Sequence, residues 1–431
     1  MTDTMDLQDL PEEVRDELQS LANVTGTGIG LKQTDEEGMT DRESVIVFVE
    51  TKLPRSQLDE DDVVPEEIEI DGETYSTDVV ESGEIRALAV GVPEPPIEMD
   101  SPTLEIEESG ELAIPEDLDR KEKWRPAPAG VSVGHPQVTA GTLGTPPLEN
   151  RDGKMVFLTN CHVAAASGDA SIGDTVLQPG KIDGGVSPND DIGTLLEFGE
   201  IEFGSGSENT TDSALVEVVP DHLQYDLFEL RENLRGWSEA RIGRVHTKSG
   251  RTTAVTEGRC TARNANFAIN FGAKGIANFV GLDVFEVMGA GGDSGSLMGF
   301  ETAEGLYGTS LLFAGSTQLT LGIPMRAVQA EHGSLTVMTS QSLVEPDDLR
   351  ITGTAFRGAL GEGATSYRWS GPWARQYSID FQAHPTTGNG YVRSSVDGVY
   401  NHSAGTYYLV KVENRQSNQS VRYDVRYVVT R

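Results

Sequence analysis

The chain has 431 residues, enough for roughly two to four domains with a sizeable core. It carries 69 Asp and Glu against 33 Lys and Arg, a formal net charge of −36. So negative a surface repels phosphate backbones and anionic lipid headgroups, which argues against nucleic-acid and membrane partners.

The charge is uneven: −27 over residues 1–123, −12 over 124–345 and +3 over 346–431, with only nine lysines among the bases. Excess carboxylate with scarce lysine fits a high-salt, halophilic interior, where the Debye length falls to about 3 Å at 1 M. The opening stretch has neither a basic nor an apolar leader region, and apolar runs stay well short of the ~18 residues that span a bilayer. The expected location is cytoplasmic.

In chain order, Leu7, Leu10, Val14, Leu18 and Leu21 recur at helical spacing and predict an amphipathic helix over residues 7–21. Strand-like runs follow at Thr25–Lys32, Ser44–Lys52 and Glu69–Glu81, so residues 1–90 form a small acidic α/β domain. Residues 91–123, rich in proline and acid, read as a linker. From Trp124 to about 343 glycine is frequent and short β runs recur, at Val138–Leu143, Met155–Asn160, Thr175–Leu177, Ile192–Phe198, Asp212–Val219, Ser296–Gly299 and Gly308–Phe313. That texture implies a sandwich or barrel, with room for two closed halves. A seam near Ser340–Asp348 precedes a β module over 349–431, with runs at Tyr377–Phe381, Tyr407–Val412 and Val421–Val429.

The sharpest chemical feature is Gly289-Ala290-Gly291-Gly292-Asp293-Ser294-Gly295-Ser296. A serine among glycines can be approached closely by a carbonyl, and the glycines let backbone N–H groups turn toward one point, as an oxyanion hole requires. Ser294 needs a base, and the base needs an orienting group. His162 closes the apolar run Met155–Asn160 and precedes the small residues Val163–Ala166, and Asp212 opens the run Ser213–Val216. The order His, Asp, Ser is that of chymotrypsin-type enzymes, and Ser296 breaks the G-x-S-x-G pattern of α/β-hydrolases.

From Trp124 to Leu343 the chain resembles a trypsin-like (chymotrypsin-fold) serine protease, of the microbial type with a small acidic N-terminal domain. The matching segments are Arg125–Pro136, Leu158–Val163, Leu177–Gly180, Thr211–Ala214, Gly250–Thr253 and Gly292–Ser296. The resemblance implies a mainly β protein with a double β-barrel, flanked by the α/β domain and a C-terminal β-sandwich. It makes His162 the general base, Asp212 its orienting acid and Ser294 the nucleophile, with the N–H groups of Gly292 and Ser294 as the oxyanion hole. The reaction it implies is endopeptidase hydrolysis of a polypeptide through an acyl-enzyme, without cofactor or metal. The substrate pocket falls on Met288 and on Ser310, Leu312 and Phe313, a lining without charge that suits small or apolar side chains.

Two departures stand out. Cys161 replaces the usual Asn or Ala, and no Ile/Val-Gly start is evident as the new N-terminus that would pair with Asp293. Cys161 and Cys260 are expected to be buried free thiols in a reducing compartment; Cys161, taken as a strand residue, points away from its neighbour His162. Competing readings are a catalytically silent binding or scaffold module and a self-limited protease that cuts its own linker within 91–123. Contact of the N-terminal domain with the protease or the C-terminal module would give its acidic surface a role. Gly26-Thr27-Gly28-Ile29-Gly30 resembles half a dinucleotide fingerprint but continues as strand. Asp183, Asp190 and Asp191 read as a solvated loop, His222 and His246 as surface or core residues, and Trp369 and Trp373 as core residues with sugar stacking as the alternative.

Overall fold

The computed structural model describes residues 7, 9–34, 38–88, 119–218, 222–230, 233–302, 304–338, 351–360, 365–373, 378–385, 392–402, 405–414 and 421–430. Most of the expected linker and the seam at Ser340–Asp348 lie outside them. Two compact units result, one comprising residues 1–107, 119–228 and 232–338, the other 108–118, 229–231 and 339–431.

The chain opens with α1 (Glu12–Gln19), β1 (Val24–Thr34), β2 (Gly38–Val49), β3 (Glu67–Ile70), β4 (Glu73–Glu81) and β5 (Arg86–Ala87). The helix is shorter than its apolar spacing predicts. It begins after Pro11, whose φ of −54° and ψ of 141° are not helical, so Leu7 and Leu10 reach the core from outside it. The continuous run Val45–Val49 has a two-sided explanation. Val45 and Val47 pack with Leu7, Leu10 and Leu18, while Phe48, on the opposite face, meets Phe267 at a ring distance of 4.8 Å.

The middle of the chain supplies β6 (Ala127–Ala129), β7 (Ser132–Val133), β8 (Gly141–Thr142), β9 (Leu148–Glu149), β10 (Met155–Thr159), α2 (Cys161–Ala164), β11 (Thr175–Leu177), β12 (Asp191–Phe198), β13 (Gly204–Asn209) and β14 (Ala214–Val218). Then come β15 (Leu223–Leu227), β16 (Leu234–Trp237), β17 (Val245–Gly250), β18 (Ala254–Asn270), β19 (Ile276–Phe285), β20 (Leu297–Thr302), β21 (Gly305–Gly315), β22 (Thr320–Pro324), α3 (Met325–His332) and β23 (Thr336–Val337).

One sheet runs β11-β12-β14-β10-β9-β23 and is built on the fully buried Val156, Phe157, Leu158, Leu215 and Val216. Among the described residues its end strands do not pair, so this half is an open sheet rather than the closed barrel expected. In the other half β17, β18, β19, β22, β21 and β20 pair in succession, and β20 pairs back to β17.

The N-terminal strands extend this second sheet in the order β18-β1-β2-β4-β3. The register of β1 on β18 sets Gly26 opposite Phe267 and Gly30 opposite Ala262. A Cβ at Gly26 would lie 2.5 Å from the Asn266 carbonyl oxygen, so the glycine pattern serves strand packing. Asp119 to Lys123, within the expected linker, lie among the described residues of the first unit. Arg120 is buried and donates to Gly130 O at 3.1 Å and Ser249 Oγ at 2.6 Å.

The C-terminal unit contains β24 (Ile351–Leu360), β25 (Thr365–Trp373), β26 (Ser378–Pro385), β27 (Val392–His402), β28 (Gly405–Asn414) and β29 (Val421–Thr430). Two three-stranded sheets, β24-β29-β26 and β25-β28-β27, share a core of Ile379, Phe381, Val392, Val410, Val412, Tyr423 and Val425. Inward residues recur at every second position, as in a sandwich. Trp369 and Trp373 fall on β25, and their side chains lie outside the described residues.

Candidate active site

Where β10 leaves the core, its chain turns at Asn160 into the short helix α2, whose second residue is His162. Asn160 Nδ2 donates to the backbone oxygen of Asp212 at 2.6 Å, tying this turn to the start of β14. The Asp212 carboxylate, fully buried, takes two bonds from one residue: the His162 backbone N–H at 3.0 Å and His162 Nδ1 at 2.5 Å. That second bond places the Nδ1 proton and leaves Nε2 as the free base position. His162 Nε2 is buried and has no hydrogen-bond partner.

Ser294 lies in the loop between β19 and β20. Gly292 and Gly295 hold φ of 100° and 95°, backbone that a side chain resists. A Cβ on Gly295 would also fall 2.3 Å from Thr159 Oγ1 and 2.4 Å from Thr142 O, so the loop rests on the end of β10. At Gly141 a Cβ would meet Val163 Cγ2 at 2.4 Å and Ser294 O at 2.9 Å, which shows how tightly α2 and the serine loop converge.

Beneath the loop, Asp293 accepts from the N–H groups of Ala290, Thr252 and Thr253 at 3.0, 2.8 and 3.2 Å and from Thr253 Oγ1 at 2.5 Å. Lys248 Nζ lies 3.4 Å from it, and neither side chain is exposed. Burial by itself raises the Asp293 carboxyl, but Lys248 and the hydrogen bonds outweigh it and hold the group below the usual carboxylate range. Burial pushes the Lys248 ammonium down to about 8 against the opposing pull of Asp293.

A segment that the sequence places at the end of the N-terminal domain occupies the space beside Ser294. β5 pairs antiparallel with β21, Ala87 opposite Ala314 and Arg86 opposite Gly315. Ile85 O accepts from Asn270 N at 3.0 Å. Leu88 N–H donates to Phe313 O at 3.0 Å, and Leu88 O accepts from Gly292 N at 3.0 Å and from Ser294 Oγ at 2.8 Å. The Ser294 hydroxyl lies 3.4 Å from Phe313 O as its second acceptor. The expected bond from Ser294 to His162 is therefore absent, because the Leu88 carbonyl holds the hydroxyl proton.

The Leu88 side chain sits in a buried apolar cluster with Ala240, Cys260, Phe285, Met288, Met298 and Leu312. Met288 and Leu312, two of the residues expected to line a pocket, both belong to this cluster. Phe313 contributes its backbone oxygen, while its ring packs on Phe279 at 5.0 Å. Ser310 differs: its hydroxyl turns to the buried Asp283 at 2.7 Å, which also faces Arg263 at 3.5 Å. This carboxylate was not legible in the sequence; burial raises its pKa above the usual value.

Both cysteines are free and buried, and burial, helped at Cys161 by Asp212 and at Cys260 by Asp283, raises each thiol well above its usual value. Cys161 opens a helix instead of ending a strand. Asp183 is not a solvated loop residue: its carboxylate forms a two-pronged pair with Arg251 at 2.7 and 2.6 Å and accepts from Ser132 Oγ at 2.5 Å. Asp190 pairs with Lys123 at 2.9 Å. His222 Nδ1 donates to Ile192 O at 3.1 Å, and His246 is buried between Phe285 and Phe300. Among the described residues no cluster of His, Cys, Asp or Glu is placed to hold a metal ion, and no helix is long and apolar enough to cross a membrane.

Leu88, Lys248, Asn160 and Asp283 escaped the sequence reading. Lys248 had a signal: it shares the period-2 face of β17 with His246, and both are buried. Leu88 had none, since a segment gripped by backbone hydrogen bonds needs no motif.

No protein-family model matches this chain, and no curated protein matches it significantly. Among solved structures it is similar to Thermobifida fusca protease A, at 19% identity and a TM-score of 0.36, over 49% of this chain and 98% of that one. A Nocardiopsis protease aligns at 18% and 0.35 over 49% and 98% of the two chains. Cellulomonas bogoriensis chymotrypsin aligns at 18% and 0.34 over 50% and 99%.

Proposed function

We propose that the chain is a serine endopeptidase that cleaves polypeptides through an acyl-enzyme, with His162 as base, Asp212 as its orienting acid and Ser294 as nucleophile. The observation that carries this reading is the Leu88 carbonyl. It is a peptide carbonyl that accepts from a backbone N–H, that of Gly292, and from Ser294 Oγ. The buried His162–Asp212 pair supplies a base whose free nitrogen has no other partner.

In the reaction, Ser294 Oγ–H turns from the carbonyl oxygen to His162 Nε2 as Oγ adds to the substrate carbonyl carbon. The developing oxyanion is held at Gly292 N–H, with Ser294 N–H as the second donor of the reading. Asp212 keeps the imidazolium oriented while its proton passes to the leaving amine, and water then releases the acyl group. Lys248 and Asp293 maintain the loop from below. In this reading the two larger sheets of the first unit, the first of them open, stand in for the two halves of a chymotrypsin-like fold with the site between them, and the acid-rich surface suits a salt-rich cytoplasm.

The competing binding-module reading requires these groups to be idle. Labelling by a fluorophosphonate probe in high salt separates the two: wild type is expected to be modified at Ser294, with His162→Ala labelled at least ~100-fold more slowly and Ser294→Ala unlabelled. Folded wild-type protein that resists the probe at all times and salts would remove the peptidase reading.

A further inference from the structure

Resting on the peptidase reading, we infer that the first substrate of this site is the chain's own peptide bond between Leu88 and Ala89, and that the pocket selects a leucine-sized aliphatic side chain at the residue whose carbonyl is attacked. The bond lies just before the 91–123 interval in which sequence alone would look for self-cleavage.

Three independent contacts set Leu88 apart from an incidental edge strand. Its carbonyl oxygen is within 3.0 Å of Gly292 N and 2.8 Å of Ser294 Oγ, so its carbon is the one presented for attack. Its N–H donates to Phe313 O, and the register Ala87–Ala314 and Arg86–Gly315 continues the ladder away from the serine. This is strand addition, in which main-chain bonds hold the peptide and alternate side chains find pockets. The Leu88 side chain alone enters the closed apolar cluster with Met288, Leu312 and Phe285, while Arg86 stays exposed. Glu84 Oε1 accepts from Asn270 Nδ2 at 2.9 Å, and Ile85 O accepts from Asn270 N, anchoring the segment upstream. The β1–β18 ladder holds the rest of the N-terminal strands on the same sheet, so the scissile residue is delivered intramolecularly at high effective concentration.

The chemistry balances without a co-reactant other than water. Ser294 Oγ bonds to the Leu88 carbonyl carbon and its proton goes to His162 Nε2. The bond to the Ala89 nitrogen breaks as His162 returns that proton to the new amine. Water then adds to the ester carbon, giving one proton to His162, which passes it to Ser294 Oγ as that oxygen leaves; the Leu88 carboxylic acid so formed ionises by releasing its remaining proton to solvent. The pocket limits which residue can be presented: a missing or added methylene in an apolar pocket shifts rates by about 10–200-fold, and a charge must be desolvated to enter at all.

The test is intact-mass analysis of the full chain purified in high salt, as wild type, Ser294→Ala, Leu88→Met and Leu88→Asp. Wild type is expected to yield one fragment ending at Leu88 and one beginning at Ala89, and Ser294→Ala to remain whole. Leu88→Met should be cut within about tenfold of the wild-type rate, and Leu88→Asp at least ~100-fold more slowly. The processed enzyme should then hydrolyse an Ile-Arg-Ala-Leu anilide with kcat/KM at least ~100-fold above the Ile-Arg-Ala-Lys anilide. Wild type that stays whole, or is cut only elsewhere, while Ser294 still takes a fluorophosphonate would overturn this inference and leave the peptidase reading standing. Cleavage at Leu88 in Ser294→Ala as well, or equal rates on the two anilides, would also overturn it. A Ser294 that neither labels nor hydrolyses any peptide would remove both.

Discussion

Lys248 Nζ lies 3.4 Å from the Asp293 carboxylate in an environment closed to solvent on both sides, directly beneath the loop that carries Ser294. The cation that stabilises this carboxylate comes from β17 of the same unit and also donates to Ala254 O at 3.0 Å. The loop is thus held by a charge already built into the chain, independent of any new N-terminus.

Removing one partner of such a pair leaves the other charge buried and bare, which typically costs about 3–5 kcal/mol. Lys248→Met is expected to lower stability by that amount in guanidinium denaturation. The double variant Lys248→Met, Asp293→Asn should recover part of the loss, because no charge then remains to be desolvated and the amide oxygen still accepts from the loop N–H groups. A double variant less stable than Lys248→Met alone would contradict this account.

Asp212→Asn keeps the shape of the site but changes what faces His162 Nδ1. The amide's NH₂ end favours the wrong tautomer, and on the peptidase reading the expected cost in kcat is about 10⁴-fold. Steady-state hydrolysis of a leucyl anilide, with melting temperature measured alongside, checks that activity falls while the fold survives.

Gly295→Ala should destabilise the protein by about 3 kcal/mol, since the new methyl would meet both positive-φ strain and the Thr159 and Thr142 oxygens at 2.3 and 2.4 Å. Gly72→Ala is the control. It has a φ of 85° with open space around it, so only the strain of about 1 kcal/mol applies. Equal losses for the two variants, measured by chemical denaturation, would show that packing against β10 is not the reason for glycine at 295.

His246 gives a pH dependence with a definite sign. Burial lowers its pKa to about 4, despite the raising effect of its bond to Arg244 O. The unfolded chain, with an ordinary histidine near 6.5, binds more protons between pH 6.5 and 4. The stability present above 6.5 is therefore lost as pH falls through this window, by about 3 kcal/mol in full. His246→Phe, which keeps an aromatic ring between Phe285 and Phe300 and removes the titrating group, should flatten this portion of the stability profile measured by thermal melts from pH 4 to 7.

Much of the architecture was legible because local patterns report it directly. The alternation in Val421–Val429 became a strand because inward-facing residues recur at the strand period, whereas the continuous apolar run Met155–Asn160 became a strand buried on both faces. His162 and Asp212 were legible from where they stood on such runs, and the structure brings them into direct contact. Asp183 misled because a Gly-rich stretch with three acids looks solvated, and its partner Arg251 lies 68 residues away. Helix α1 misled at its start because the leucine spacing continues through Pro11, where the backbone cannot.

The −36 net charge, the glycine-lined serine and the order of His162, Asp212 and Ser294 belong to the sequence, since composition and short-range pattern are all they require. Tertiary structure alone decided what stands in front of Ser294. The seating of Leu88 depends on β5 meeting β21, on β1 meeting β18 and on a pocket assembled from five separated stretches of chain. Backbone hydrogen bonds between distant segments leave no residue signature, because every residue but proline carries the same donor and acceptor.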